Sequence, residues 1–134
     1  PVRVDVVAAV PGVFQQANGV GVVVNQNGAV NTIATPESAG RAIVIYMTGL
    51  GPVRNPPNAG VPASLTPLSP TLQAVAVTIG GRSAPVAFSG LVPGFIGLYQ
   101  VNAVVPAGLA AGAAALVVTS GDGYPSAPVT FYVN

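Results

Sequence analysis

Residues 75–106 read VAVTIGGRSAPVAFSGLVPGFIGLYQVNAVVP, and the reading of this stretch decides the fold. Val75, Val77 and Ile79 alternate with Ala76 and Thr78, the period of two that suits a pleated strand with one buried face. Gly80-Gly81 then offers a turn with free access to positive φ. Ala84 to Phe88 reads as the return strand of a hairpin. Leu98, Tyr99, Val101, Ala103, Val104 and Val105 make a third strand, closed by Pro106, which has no N–H to give a ladder.

The same grammar extends outward. Residues 42–47 (AIVIYM) form a continuous apolar run, expected to be a central strand buried on both faces. Val20–Val24 and Ala29–Ile33 flank Asn27-Gly28, a strong hairpin signal. Val13-Phe14 reads as an apolar anchor after Pro11-Gly12, and Pro36 to Ser38 as a single helical turn. No stretch keeps a 3.6-residue apolar period, so no longer helix is expected. Ala113–Thr119 and Ala127–Val133 are strands on either side of the turn cluster Ser120–Pro125. With PVRVDVV at residues 1–7, the count reaches about nine short strands separated by turns, the pattern of an all-β sandwich with an N-terminal strand extension. The chain thus divides into residues 1–10 and a sandwich over 11–134, with a Pro-rich loop at 51–71.

Composition narrows the function. A length of 134 residues suits one domain with a proper core. Only 5% of the residues are charged, against roughly 25% in ordinary soluble domains. A net charge of +1 carries no basic cluster for nucleic acid or anionic lipid. No apolar run approaches the roughly 20 residues of a membrane helix, since Val101–Val118 is broken by Pro106, Gly108 and Gly112. The absence of cysteine removes disulfides and thiolate chemistry, and without His the serines lack an ordinary base. Asp5, Glu37 and Asp122 are the whole acidic complement and stand far apart in sequence. The SGDGY turn around Asp122 falls short of the six to eight oxygens that calcium takes. The residues therefore point away from an enzyme, and no catalytic residue, metal or cofactor is assigned. The opening at Pro1, with neither initiator Met nor signal peptide, suggests a processed or excised chain.

A free monomer this poor in charge is expected to dissolve badly, so the chain is read either as packed against its own copies or as one module of a longer protein. Val2, Val4 and Val6 face one way in PVRVDVV, with Arg3 and Asp5 facing the other. These three valines make residues 1–10 a candidate donor strand for a neighbour's sheet. The segment 51–71 contains Pro52, Pro56, Pro57, Pro62, Pro67 and Pro70, which forbid a regular ladder. Its simplest reading is an extended crossover between sheets; its sharper one is a contact or glycan surface. Ser64, Thr66, Ser69 and Thr71, set among prolines, are candidate O-glycosylation positions. No Asn-X-Ser/Thr sequon occurs.

Three stretches echo one another: PVRVDVV at the start, SAPVAF from Ser83 and SAPVTFYV from Ser126. A head that resembles its own tail fits either a unit cut from a tandem series or a strand that fills a position in a neighbouring copy.

Four motifs carry a family resemblance: PGVF at Pro11, MTGLG at Met47, VTIGGRSAPV at Val77 and GLVPGFIGLYQVNAVVP at Gly90. From about Pro11 to the C-terminus the chain resembles the Solibacter-type uncharacterised C-terminal domain of large secreted bacterial proteins, itself related in pattern to IPT/TIG immunoglobulin-like modules. The resemblance implies an extracellular or cell-surface immunoglobulin-like β-sandwich, and it brings no catalytic residue with it. The expected function is a structural subunit of an extracellular filament or pilus-like homopolymer, joined by N-terminal strand donation. The alternative is a non-catalytic module of a large secreted protein that binds carbohydrate or a cell-surface partner.

Overall fold

The computed structural model describes residues 11–134. Nine strands are present among them: β1 (Gly12–Val13), β2 (Val23–Val24), β3 (Ala42–Thr48), β4 (Ala76–Ile79), β5 (Arg82–Ala84), β6 (Val86–Leu91), β7 (Tyr99–Val104), β8 (Gly112–Thr119) and β9 (Val129–Val133). They form two antiparallel sheets. One runs β1-β3-β7-β6, with β2 sharing the β3 edge beside β1; the other runs β5-β4-β8-β9. This is the strand order of an immunoglobulin-like sandwich, ABED on one layer and the G, F, C and C′ strands on the other.

Inward alternation builds the core. Ile43, Ile45 and Met47 of β3 and Val101 and Ala103 of β7 face Val77, Ile79, Leu116, Val118, Val129, Phe131 and Val133 of the opposite sheet. Each side chain of this size gains about 1.5–3 kcal/mol on full burial. The expected double-sided burial of residues 42–47 is corrected: Val44 and Tyr46, on the other face of β3, are only half-buried. β3 is central because it has neighbours on both edges, but a two-layer sandwich has nothing to stack on its outer face.

A second correction concerns the hairpin after Gly80-Gly81. Only Arg82–Ala84 pair with β4. At Pro85 the chain leaves that sheet, and Val86–Leu91 pair with β7 in the other. A proline cannot continue the ladder, so the break in pairing falls there. Gly80 and Gly81 both take positive φ, 57° and 79°, as the tight turn requires.

The segment 14–41 is irregular, yet it does structural work. The Asn27-Gly28 turn forms, with Asn25 N–H donating to Ala29 O, but its arms shrink to a single Val24–Val30 bridge. Pro36 to Ser38 is not helical. Glu37 instead pairs in parallel with Val133, its N–H donating to Tyr132 O. Val20 likewise pairs in parallel with Thr130. Between these two bridges the fully buried Asn31 uses its side-chain amide as a strand neighbour. Its Nδ2 donates to Tyr132 O at 3.0 Å, and Tyr132 N–H donates to its Oδ1 at 2.8 Å. The outer edge of β9 is thereby covered along its length.

The chain enters the sandwich at Gly12, opposite Thr48 at the C-terminal end of β3. It leaves at the other end, where Asn134 N–H donates to Glu37 O and its Nδ2 to Ser38 Oγ.

Two stability predictions follow from these contacts. Asn31→Ala leaves the Tyr132 N–H without its acceptor, although Tyr132 O keeps the Glu37 N–H, and urea unfolding should show a loss of about 1–3 kcal/mol. Gly90→Ala places a Cβ 2.6 Å from Ser69 O and 2.9 Å from Pro70 Cα. Because both are backbone atoms, the same measurement should show about 1–3 kcal/mol of destabilisation.

Candidate interaction surface

The candidate donor valines, Val2, Val4 and Val6, lie outside the described residues. The four candidate glycan-bearing hydroxyls divide into two pairs. Ser64 and Thr66 are exposed, although Ser64 Oγ donates to Pro67 O at 2.6 Å. Ser69 is buried and its hydroxyl donates to Asn55 O. Thr71 is half-buried, its Oγ1 shared between Ser89 Oγ and Gln73 O. Room for a sugar on the folded chain therefore exists at Ser64 and Thr66, while Ser69 and Thr71 spend their hydroxyls inside the structure.

The Pro-rich segment links β3 in one sheet to β4 in the other, and it closes upon itself. Its arms pair where Val53 bridges Thr71, with Arg54 N–H donating to Pro70 O and Leu72 N–H to Pro52 O. Its midpoint is pinned to the β6–β7 turn: Ala63 N–H donates to Phe95 O, and Gly94 N–H to Ala63 O. Ala63 is buried by this contact. A loop so rich in proline cannot satisfy its backbone by a regular ladder, and these few bonds are what hold its shape.

The result is an apolar end. Ten large apolar side chains are exposed among the described residues, and six of them (Val61, Leu65, Leu68, Leu72, Phe95 and Ile96) belong to this loop and turn. Leu65 and Ile96 are 70% and 64% exposed. The two segments meet at Ala63, and a contiguous exposed apolar patch is a candidate interaction site. The signal was present in the sequence as PGFIG, an apolar pair set inside a glycine-bounded turn where a polar tip is usual.

A second feature is a groove of about 340 Å³ between Pro70–Val75 and Val86–Ser89. It runs along a seam between the two sheets. Ser69–Thr71 cover the upper part of the β6 edge, with Thr71 N–H donating to Ser89 O and Leu91 N–H to Ser69 O. Below Ser89 that cover ends, and Val75 and Val86 lie half-buried against the core with one side open.

Among the described residues the two acidic side chains lie at opposite ends of the sandwich. Glu37 sits by Val133 and Asn134, its carboxylate accepting from Gln26 N–H and Ser38 N–H. Asp122 lies in the β8–β9 turn at the opposite end and accepts from Gln73 Nε2. A polar pocket of about 280 Å³ beside Glu37 is lined by Gln26, Asn27, Ser38 and Arg41. Among the described residues no three acidic, His or Cys side chains come together, and no helix is long and apolar enough to cross a membrane. No protein-family model matches this chain, and no curated protein does.

Tyr99 anchors the apolar end from beneath. Its hydroxyl donates to Gly51 O, where the Pro-rich segment departs, and burial raises its pKa above 10.0. The folded state thus holds the phenol proton more tightly than the unfolded chain does. Its contribution to stability is complete below pH 10.0 and is lost as pH climbs through the folded value. Tyr99→Phe should cost about 0.5–1.5 kcal/mol at neutral pH. It should also flatten the alkaline limb of a stability–pH profile measured by urea unfolding.

Proposed function

We propose that this chain is a non-catalytic structural subunit that assembles with copies of itself, in an extracellular filament or pilus-like polymer. The observation that carries the reading is the apolar end formed by the Pro-rich loop and the β6–β7 turn. An end bearing Leu65, Phe95 and Ile96 outward in a protein with seven charged residues in all (four basic, three acidic) gains by burial against another molecule. A second copy is the favoured occupant, because so little charge disfavours a solitary existence in water. The chain enters beside this end and leaves at the other, so copies stacked end to end do not obstruct one another's termini. Where the apolar end meets a different face of the next copy, the contact is heterologous and propagates as a line, whereas end-to-same-end pairing closes a dimer. Residues 1–10, with Val2, Val4 and Val6 on one face, serve as the connecting strand. The family resemblance and the proposed extracellular or cell-surface setting agree with this role, and Ser64 and Thr66 are the positions at which the polymer would carry glycan.

Entry at Gly12 and exit at Asn134 on opposite ends of the sandwich also suit a module in a tandem, secreted protein that binds carbohydrate or a surface partner. The two readings part on oligomeric state. Light scattering and electron microscopy of the full chain should reveal elongated assemblies. Replacing Leu65, Phe95 and Ile96 together by Ser should raise the concentration needed for assembly by about tenfold or more, with the thermal melt unchanged. A wild-type chain that stays monomeric at every concentration would favour the module.

A further inference from the structure

The seam beside β6 lacks a strand. Two of its walls, Val75 and Val86, belong to the rim of the core and remain half-exposed. Along Val86–Phe88, where a β-bulge shifts the register against β7, the outer edge of β6 has no backbone partner among the described residues, since the cover supplied by Ser69–Thr71 stops at Ser89. Leu72 turns away to pair with Pro52, and this departure opens the groove. Unpaired backbone above an incompletely covered apolar seam is the geometry that strand addition completes.

We infer that this seam is the acceptor site for residues 2–6 of a neighbouring copy, with Val2, Val4 and Val6 turned into the groove against Val75 and Val86. The inference rests on the self-assembly reading and gives it a location. Three considerations select the occupant. The segment alternates with a period of two, so one face can finish the core while Arg3 and Asp5 stay in water. Asp122, held on the rim by Gln73, offers Arg3 an opposite charge. Reach, finally, favours another molecule. The chain enters on β1, and β1 and β6 are the two outer strands of their sheet, three strand spacings or about 14 Å apart. Gly12 also sits level with the residue after Leu91, about 13 Å along the sheet from Phe88, so the straight path is about 19 Å, whereas the linker's six steps from Val6 to Gly12 reach at most about 20–22 Å. Docking residues 2–6 in the chain's own seam would require that linker to be taut and to pass through its own sheet.

The cysteine-free sequence allows a direct test with the full chain. Ala87 is exposed on the open edge, so on the solvent side its neighbours in a docked strand are Arg3 or Asp5. Arg3→Cys and Asp5→Cys chains are each mixed with an Ala87→Cys chain and oxidised. A parallel mixture replaces Ala87→Cys by Ala111→Cys, an exposed position in the β7–β8 turn. Disulfide formation needs Cβ atoms within about 4.5 Å, and docking raises the local thiol concentration, so the Ala87 mixture should yield about tenfold or more cross-linked heterodimer than the Ala111 mixture. Assemblies that form without this cross-link would overturn the acceptor site while leaving self-assembly standing. A chain carrying both Arg3→Cys and Ala87→Cys that closes on itself at high dilution would overturn donation to a neighbour. A monomer that neither assembles nor cross-links would overturn both.

Discussion

The edges of the two sheets govern how this molecule is put together. Each unpaired edge is a row of backbone donors and acceptors that invites another strand. Proteins commonly blunt such edges with charge, a means scarcely open to a chain with four basic and three acidic side chains. This one covers them with its own backbone. Gly19–Gly21 and Glu37 run beside β9, and the Asn31 amide fills the gap between them. Ser69–Thr71 lie along the upper part of β6. β5 is left short and is followed by Pro85, with Arg82 as its one charge. The lower part of β6 has no such cover among the described residues, and a β-bulge between Val86 and Phe88 bends it instead.

Seen this way, the irregular segments are not filler. Residues 14–41 and 49–72 contain almost no regular strand, yet their backbone groups supply most of the edge cover. The Pro-rich segment does so under constraint: each proline removes a donor, so its shape rests on a few bonds through Val53, Ala63 and Ser69. That economy leaves Leu65 and Leu68 exposed, in a loop whose Ala63 is bonded to the turn that carries Phe95 and Ile96. The same loop that shields one stretch of edge therefore creates the apolar end. Shielding and stickiness have one origin.

Much of the fold was legible because inward alternation is a local property. Val77 and Ile79, Leu116 and Val118, and Val129, Phe131 and Val133 all announce their buried face within a few residues. The AIVIYM run misled because composition cannot distinguish a strand central within its sheet from one buried between layers. Ser64, Thr66, Ser69 and Thr71 looked alike for a similar reason, since a hydroxyl among prolines carries no sign of whether a carbonyl waits for it inside the fold. The polar role of Asn31 had no sequence signal, because its partner Tyr132 lies 101 residues away.

By itself the sequence determined that this chain would be an all-β sandwich of about nine strands, charge-poor and without His or Cys. Alternation and turn residues act over two to five positions, and composition acts nowhere in particular, so both survive without coordinates. Tertiary structure alone decided which sheet Val86–Leu91 would join, which hydroxyls would be spent indoors, and where the apolar end and the open seam would fall. Those outcomes depend on which backbone groups find partners across long separations. Such pairing is settled by the geometry of two twisted layers meeting, and no local stretch of chain encodes it.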